Sequence, residues 1–505
     1  MWRTLFIITG LAAALIRHHA TAQDPPPPRR TVAVSTADEL RRACVHAKGG
    51  DLIEMADGTY ELREPIALRR RGTQEKPIVI RAKYRGKAIV TGSAGFHLQE
   101  CAHVFIEGLC FTPKPKKPAI TVLHSYMVRI TRNRFELEET DNGPKLHWVV
   151  LDGESHHNRI DHNLFTNKRA LGNFICSWGN RKRDHTCAQH NRIDHNHFLR
   201  VGPRVKNGKE TIKIADSDFG MRDLSAFATI ECNLFEDCSG ESEILSVKSS
   251  DNTIRHNTFR GCAGTVTLRC GSRNTVEGNF FLNPTARKQC GGVKVYGSDH
   301  KVFNNYFEGL TGSGHTAPLA LMSGEDVNRE DKGLPVPRTP RAAKATVVFN
   351  SWVDCAPLQL GWPKDKERPA PPMACTFANN MVSGKGKLIT IYPDVMGLVL
   401  RGNMAHTSGK GQTGTEGRPG GEFRVVDPSL YKSMKPNDFW RPSSDSPARD
   451  AALGSYPFVV DDVEGHKRTA PPDVGASERT ADPAESADPA TRRPLTPADV
   501  GPDAP

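Results

Sequence analysis

Beyond its first twenty residues the sequence has no long apolar run, which excludes a bundle of membrane-spanning helices. Aromatic residues are scarce, at 7% of 505 residues, and no heptad pattern or Gly-x-y period recurs, so neither a coiled coil nor a collagen-like fibre is possible. Its 12 cysteines are scattered, with none of the paired Cys-x-x-Cys spacing of a structural zinc site, and a disulfide scheme is not readable from them. Acidic residues are the minority among the charges: 57 Asp and Glu stand against 68 Lys and Arg, a formal +11. A body this basic suits a polyanionic partner. Nucleic acid is set aside, because an export signal, a Glu-x-Glu pair and the shortage of aromatics do not fit it.

The one apolar run, Leu5 to Ile16, follows Arg3 and precedes Ala20-Thr21-Ala22, a small-x-small cleavage pattern. It is too short to cross a bilayer and reads as a secretory signal over residues 1–22, placing the product outside the cytoplasm, secreted or periplasmic, with no membrane partner. Residues 23–34, with the run PPPPRR, read as an extended linker, and 35–468 as one folded domain. From Thr469 to 505, Pro, Ala and Asp dominate and large apolar residues almost vanish, the composition of a disordered tail. The charged, proline-rich stretch Ser323–Ala343 reads as an extruded loop.

Between the two ends a short unit recurs, apolar-x-x-Asn-x-Phe or a near variant. Its asparagines are Asn133, Asn163, Asn196, Asn233, Asn257, Asn279, Asn305, Asn350, Asn380 and Asn403. The unit has alternating apolar positions, β-branched residues and a polar turn, which is strand chemistry. Spacings run from 22 to 45 residues, so the unit keeps a fixed core while the connections vary. Stacked coils with insertions pushed sideways behave this way, whereas propeller blades of roughly 40–50 residues fit the shorter spacings poorly. The expected fold is all-β, a right-handed parallel β-helix. In it each Asn sits in a turn, tolerating left-handed backbone and bonding its counterpart along the axis, and the following Phe stacks in the core. Residues 36–60 predict a short helix with Leu40, Ala43 and Cys44 on one face, then a strand at Asp51–Met55 and a turn at Asp57-Gly58. That helix would cap the open end of the solenoid.

Chemistry concentrates between residues 210 and 281. Glu241 and Glu243 lie two apart, so on a strand both carboxylates face one way and repel unless a hard divalent cation holds them. Lys248 lies nine residues before Asn257 and Arg269 ten before Asn279, nearly equivalent places on neighbouring coils, roughly 5 Å apart along the stack. Glu243 and Lys248 have opposite strand parity, so sharing a site requires a bend between them. An exposed salt-bridge ladder would account for these four residues equally well. The histidine-rich stretch from His156 to His197 has no consistent ligand spacing for zinc, and His162, His195 and His256 recur at one place in the repeat, as turn or stacking residues.

The segments ESEILSVKSSDNTIRHNTF, GTVTLRCG, GGVKVYGSDHKVFNNYFEGLTG and APLALMSG, with the opening STADELRRAC…GDLIEMADGTYELREPI, resemble polysaccharide lyase family 6, the family of alginate lyases and chondroitinase B. The likeness runs from about Ser35 to about Asn403 and implies the same right-handed β-helix. It also implies calcium-assisted β-elimination on a uronate-containing acidic polysaccharide, with alginate the first expectation and dermatan or chondroitin sulfate the second. The proton on C5 of a uronate lies beside a carboxylate, so its removal needs a cation to neutralise that carboxylate, a base, and help for the departing glycosidic oxygen. By resemblance Glu241, Glu243 and Asn207 (in NGKETIKI) hold Ca²⁺, Lys248 is the base, and Arg269 the acid or charge stabiliser. A lysine serves as base only once its proton affinity is lowered, which neighbouring cations do; an arginine holds its protons too tightly to be more than a poor donor. Lys213, Lys294, His300 and His315 are the further expected grips on the polyanion. Cys270 stands in the substrate-binding set where the family has His, a weaker hydrogen-bonding group without charge. A non-catalytic glycan-binding solenoid and a hydrolase using a carboxylate pair are the readings from other classes.

Overall fold

The computed structural model describes residues 25–114, 116–179, 186–216, 223–325, 339–361, 365–408, 415–416, 423–478 and 492–505. The expected signal at 1–22 lies outside them, as does most of the expected Ser323–Ala343 loop. The chain winds into three parallel sheets of 14, 13 and 14 strands, each coil giving one strand to each sheet. This is the expected right-handed parallel β-helix. One coil shows the plan: Thr229–Glu231 in the first sheet, Leu234–Cys238 in the second, Glu243–Lys248 in the third, then Thr253–Arg255 back in the first.

The ten repeat asparagines form one continuous buried ladder. From Asn133 to Asn380 each donates its backbone N–H and its Nδ2 to Oδ1 of the Asn one coil on, at 2.9–3.2 Å. The left-handed backbone, expected at the Asn, belongs instead to the residue before it: Arg132, His162, His195, Cys232 and His256 all have φ between 52° and 55°. That twist turns the chain while the Asn side chain, lying along the axis, satisfies backbone groups that the corner would otherwise bury unpaired. His162 and His195 stack face to face at 4.9 Å, as their recurrence predicted. Behind the ladder Phe135, Phe165, Phe198, Phe235, Phe259, Phe281 and Phe307 stack in the core with centroids 4.6–5.3 Å apart.

The N-terminal helix is Ala37–His46, closed by a capping box between Thr36 and Glu39, and it buries Leu40 and Cys44 over the first coil. The strand Asp51–Met55 falls where expected. The first strand of the solenoid, Arg30–Val34, begins inside the segment read as linker. A larger difference is the tail. Residues 469–478 pack on the solenoid, with Val474 and Ala476 buried, and 492–505 run back along it as a strap. Leu495 N–H donates to Thr258 Oγ1, Gly501 N–H to the His195 carbonyl, and Arg132 to the carbonyls of Pro502 and Ala504. Composition misled here because polar and backbone bonds, more than apolar burial, hold the strap; residues 479–491 lie outside the described set. Among the described residues no helix is long and apolar enough to cross a membrane.

Candidate active site

The site is built on the outward face of the third sheet, where four consecutive coils place chemically active residues beside one another. Register pairs Ile212 with Leu245 and Lys213 with Ser246, so Glu210, two residues before Ile212, stacks beneath Glu243. Glu210, Glu241 and Glu243 each bring a carboxylate oxygen within 4.8 Å of the other two. Burial, then Glu210 and Glu243, push the Glu241 carboxyl up to about 8. Glu243 is held on the other side of its usual range: burial opposes ionisation, but Lys294, Arg269, Lys248 and a hydrogen bond from Ser246 outweigh it.

Around this acidic centre stand the cations. Lys248 Nζ lies 3.7 Å from Glu210 Oε1, and Lys294 Nζ and Arg269 Nε lie 3.5 and 3.9 Å from Glu243 Oε1. The bend required between Glu243 and Lys248 is present as two register shifts, one between Glu243 and Leu245 and one between Val247 and Lys248. The second shift pairs Lys248 with Cys270 rather than with Arg269. Arg269 turns outward with its guanidinium 5.1 Å over the Tyr296 ring, and Arg368 reaches the Tyr296 hydroxyl at 3.3 Å. His315, on the turn Gly314–Thr316, is held below the usual histidine range by partial burial of its ring and by Lys294, Arg368 and Arg269. Lys213, one coil toward the N-terminus, pairs with Asp216 at 2.9 Å and lies over the Trp178 ring.

The sequence reading therefore brought together Glu241, Glu243, Lys248, Arg269 and Lys294, with Lys213 and His315 around them. Of the other expected residues, one stands on the turn beside the acidic centre and two are buried away from any glycan. Asn207 is exposed on the turn before the strand, where the backbone N–H groups of the next two residues, Gly208 and Lys209, bond the Glu241 carboxylate, and the buried acid Glu210 stands beside the two glutamates. Cys270 is fully buried, so it offers a glycan no surface. His300 is also fully buried: its Nδ1 accepts from the Asn274 backbone and its Nε2 bonds the Tyr296 carbonyl, extending the side-chain ladder of Asn252 and Asn274. Sequence reasoning missed Glu210, Tyr296 and Arg368. Only Glu210 left a signal, as the acid of the segment NGKETIKI.

The donor set fits a hard divalent cation. Three carboxylates crowd together, and beside them Asn173, 1% exposed, donates Nδ2 to Glu210 Oε2 at 3.0 Å while its buried Oδ1 has no partner. Oxygen donors alone, in a half-buried acidic nest, suit Ca²⁺ better than a softer metal. A second acidic group, Asp462, Glu464 and His466, is consumed by its own bonds: Arg441 grips Glu464, and Asp462 accepts from the backbone of Glu464, His466 and Glu478.

The family model described as Chondroitinase B matches residues 34–437. The chain belongs to polysaccharide lyase family 6. The chain is similar to the PL6 family alginate lyase AlyGC, at 28% identity and TM-score 0.72 over 82% of this chain and 56% of that one. It thus spans little more than half of AlyGC. It is also similar to a mannuronic acid specific family 6 lyase from the human gut microbiota, at 25% identity and TM-score 0.68, covering 79% of this chain and 91% of that one. The polysaccharide lyase Pedsa3628 from Pseudopedobacter saltans shares the fold at 21% identity and TM-score 0.64, over 94% and 99% of the two chains. No curated protein sequence matches the chain.

Proposed function

We propose that this lyase cleaves a uronate-containing acidic polysaccharide, alginate first, by calcium-assisted β-elimination outside the cytoplasm, the N-terminal segment serving as its export signal. The observation that carries the reading is the convergence of Glu210, Glu241 and Glu243 with Lys248, Arg269 and Lys294 on one sheet face.

Bound by the three glutamates and Asn173, Ca²⁺ would neutralise the substrate carboxylate and so stabilise the negative charge that develops when C5 is deprotonated. Lys248, half-buried on its bulge, offers its amine to the C5 proton. Arg269, its plane set by the Tyr296 ring, and Lys294 supply fixed positive charge to the enolate-like intermediate and the departing oxygen, with the final proton coming from water. Lys213 extends the cationic surface toward neighbouring sugars, and His315 offers them a neutral hydrogen-bonding ring. Dermatan sulfate is the second substrate reading, favoured by the description of the matching family model.

Product mass tests the reaction type. Elimination gives fragments with an unsaturated non-reducing end and no added water, whereas hydrolysis adds one water per cut. Saturated fragments would assign the site to a hydrolase and overturn the proposal.

A further inference from the structure

A second metal-binding site lies two coils toward the N-terminus from Glu210, at the turn after the third-sheet strand Val149–Asp152. His156 and His157 are consecutive, and on a regular strand their rings would point to opposite faces. His157 instead has φ 55°, which swings its ring back toward its neighbour. The two Nδ1 atoms share a 2.9 Å hydrogen bond, one donating and the other accepting, with the rings nearly perpendicular, at 88°; an ion bound there takes the place of the shared proton, the donating ring shifting to its Nε2–H tautomer. Each ring is held from the other side: Tyr126 stacks on His156 at 5.2 Å and His190 on His157 at 4.8 Å. Both rings open onto a surface hollow of about 450 Å³ that Glu154 and Gln189 also line.

We infer that His156 and His157 form a bidentate site for a borderline transition-metal ion, Cu²⁺ or Ni²⁺, separate from the carboxylate centre. With metal–nitrogen bonds of about 2.0 Å, a separation of 2.9 Å corresponds to a bond angle of about 90°, the cis angle of square-planar or octahedral coordination. A tetrahedral ion such as Zn²⁺ would need the nitrogens about 3.3 Å apart. The stacked rings fix the imidazole planes before the ion arrives, and the open hollow leaves room for water or Glu154 to complete the shell. The inference rests on this turn alone and does not depend on the lyase reading.

The test uses the full-length protein without a polyhistidine tag, saturated with Ca²⁺ so that the glutamates are occupied. Cu²⁺ is added below one equivalent and followed by electron paramagnetic resonance and by isothermal titration. The expected wild-type spectrum shows hyperfine coupling to two imidazole nitrogens. His157→Asn, which keeps a residue at ease with left-handed backbone, should remove one nitrogen and weaken Cu²⁺ at least tenfold with an unchanged melting temperature. His156→Ala should do the same from the other ring. A spectrum without two-nitrogen coupling, or variants that bind Cu²⁺ as the wild type does, would overturn the assignment.

Discussion

At the scale of single residues, Glu241 is the group most dependent on what fills the acidic nest. Its carboxyl is raised to about 8 by burial and by Glu210 and Glu243, so without a divalent cation the folded chain binds a proton there that the unfolded chain has lost. Folding then loses stability as pH climbs from the ordinary glutamate range toward 8. A cation that needs the ionised form reverses this, so Ca²⁺ should raise the melting temperature more at pH 8 than at pH 5. Equal shifts at the two pH values in a thermal melt would contradict the account. Glu210→Gln should raise the Ca²⁺ concentration needed for half-maximal activity at least tenfold, which a calcium titration of the rate measures. These residues also show what sequence could reveal. Glu241, Glu243, Lys248 and Arg269 were legible because each sits in a short local pattern. Glu210 joins them only through coil-to-coil register, and Cys270 was misplaced because a bulge, invisible in sequence, decides which of Arg269 and Cys270 faces out.

At the scale of elements, the asparagine ladder shows how the solenoid keeps its corners. Asn257 accepts from the Asn233 backbone and side chain, and donates to the carbonyls of Ile230 and Arg255 and to Asn279. Asn257→Ala would leave several buried groups unpaired and should cost about 3 kcal/mol or more, read as a lower urea midpoint. A loss within error of zero would show that the ladder follows the fold without supporting it. The ladder was the most legible element, because ten copies of one unit outweigh any single ambiguous turn. Its mechanism was only half legible: the repeat marked the corner, while the left-handed residue proved to be the one before the Asn.

At the scale of the whole molecule, the strap of residues 492–505 ties distant coils together. Arg492 bonds His256, Arg260 holds the Leu495 carbonyl, Gly501 bonds the His195 carbonyl, and Asp503 pairs with Arg85. A chain ending at residue 491 should lose on the order of 2 kcal/mol of stability or more, seen as a lower melting temperature, with kcat unchanged because the active site lies on the third sheet. Composition could not show this, since it reports how little apolar surface a segment has and nothing of the partners its backbone finds. The architecture around it was legible because periodicity accumulates along the chain.

The central claim is that the third-sheet cluster performs β-elimination on an acidic glycan. The most direct test is ultraviolet absorbance during incubation with alginate, its mannuronate and guluronate blocks, and dermatan sulfate, with Ca²⁺ or with chelator. The account predicts a calcium-dependent rise on at least one of these, reduced by about 10²-fold or more in Lys248→Ala. No rise on any of them, or a rise that survives both the chelator and the lysine substitution, would contradict it.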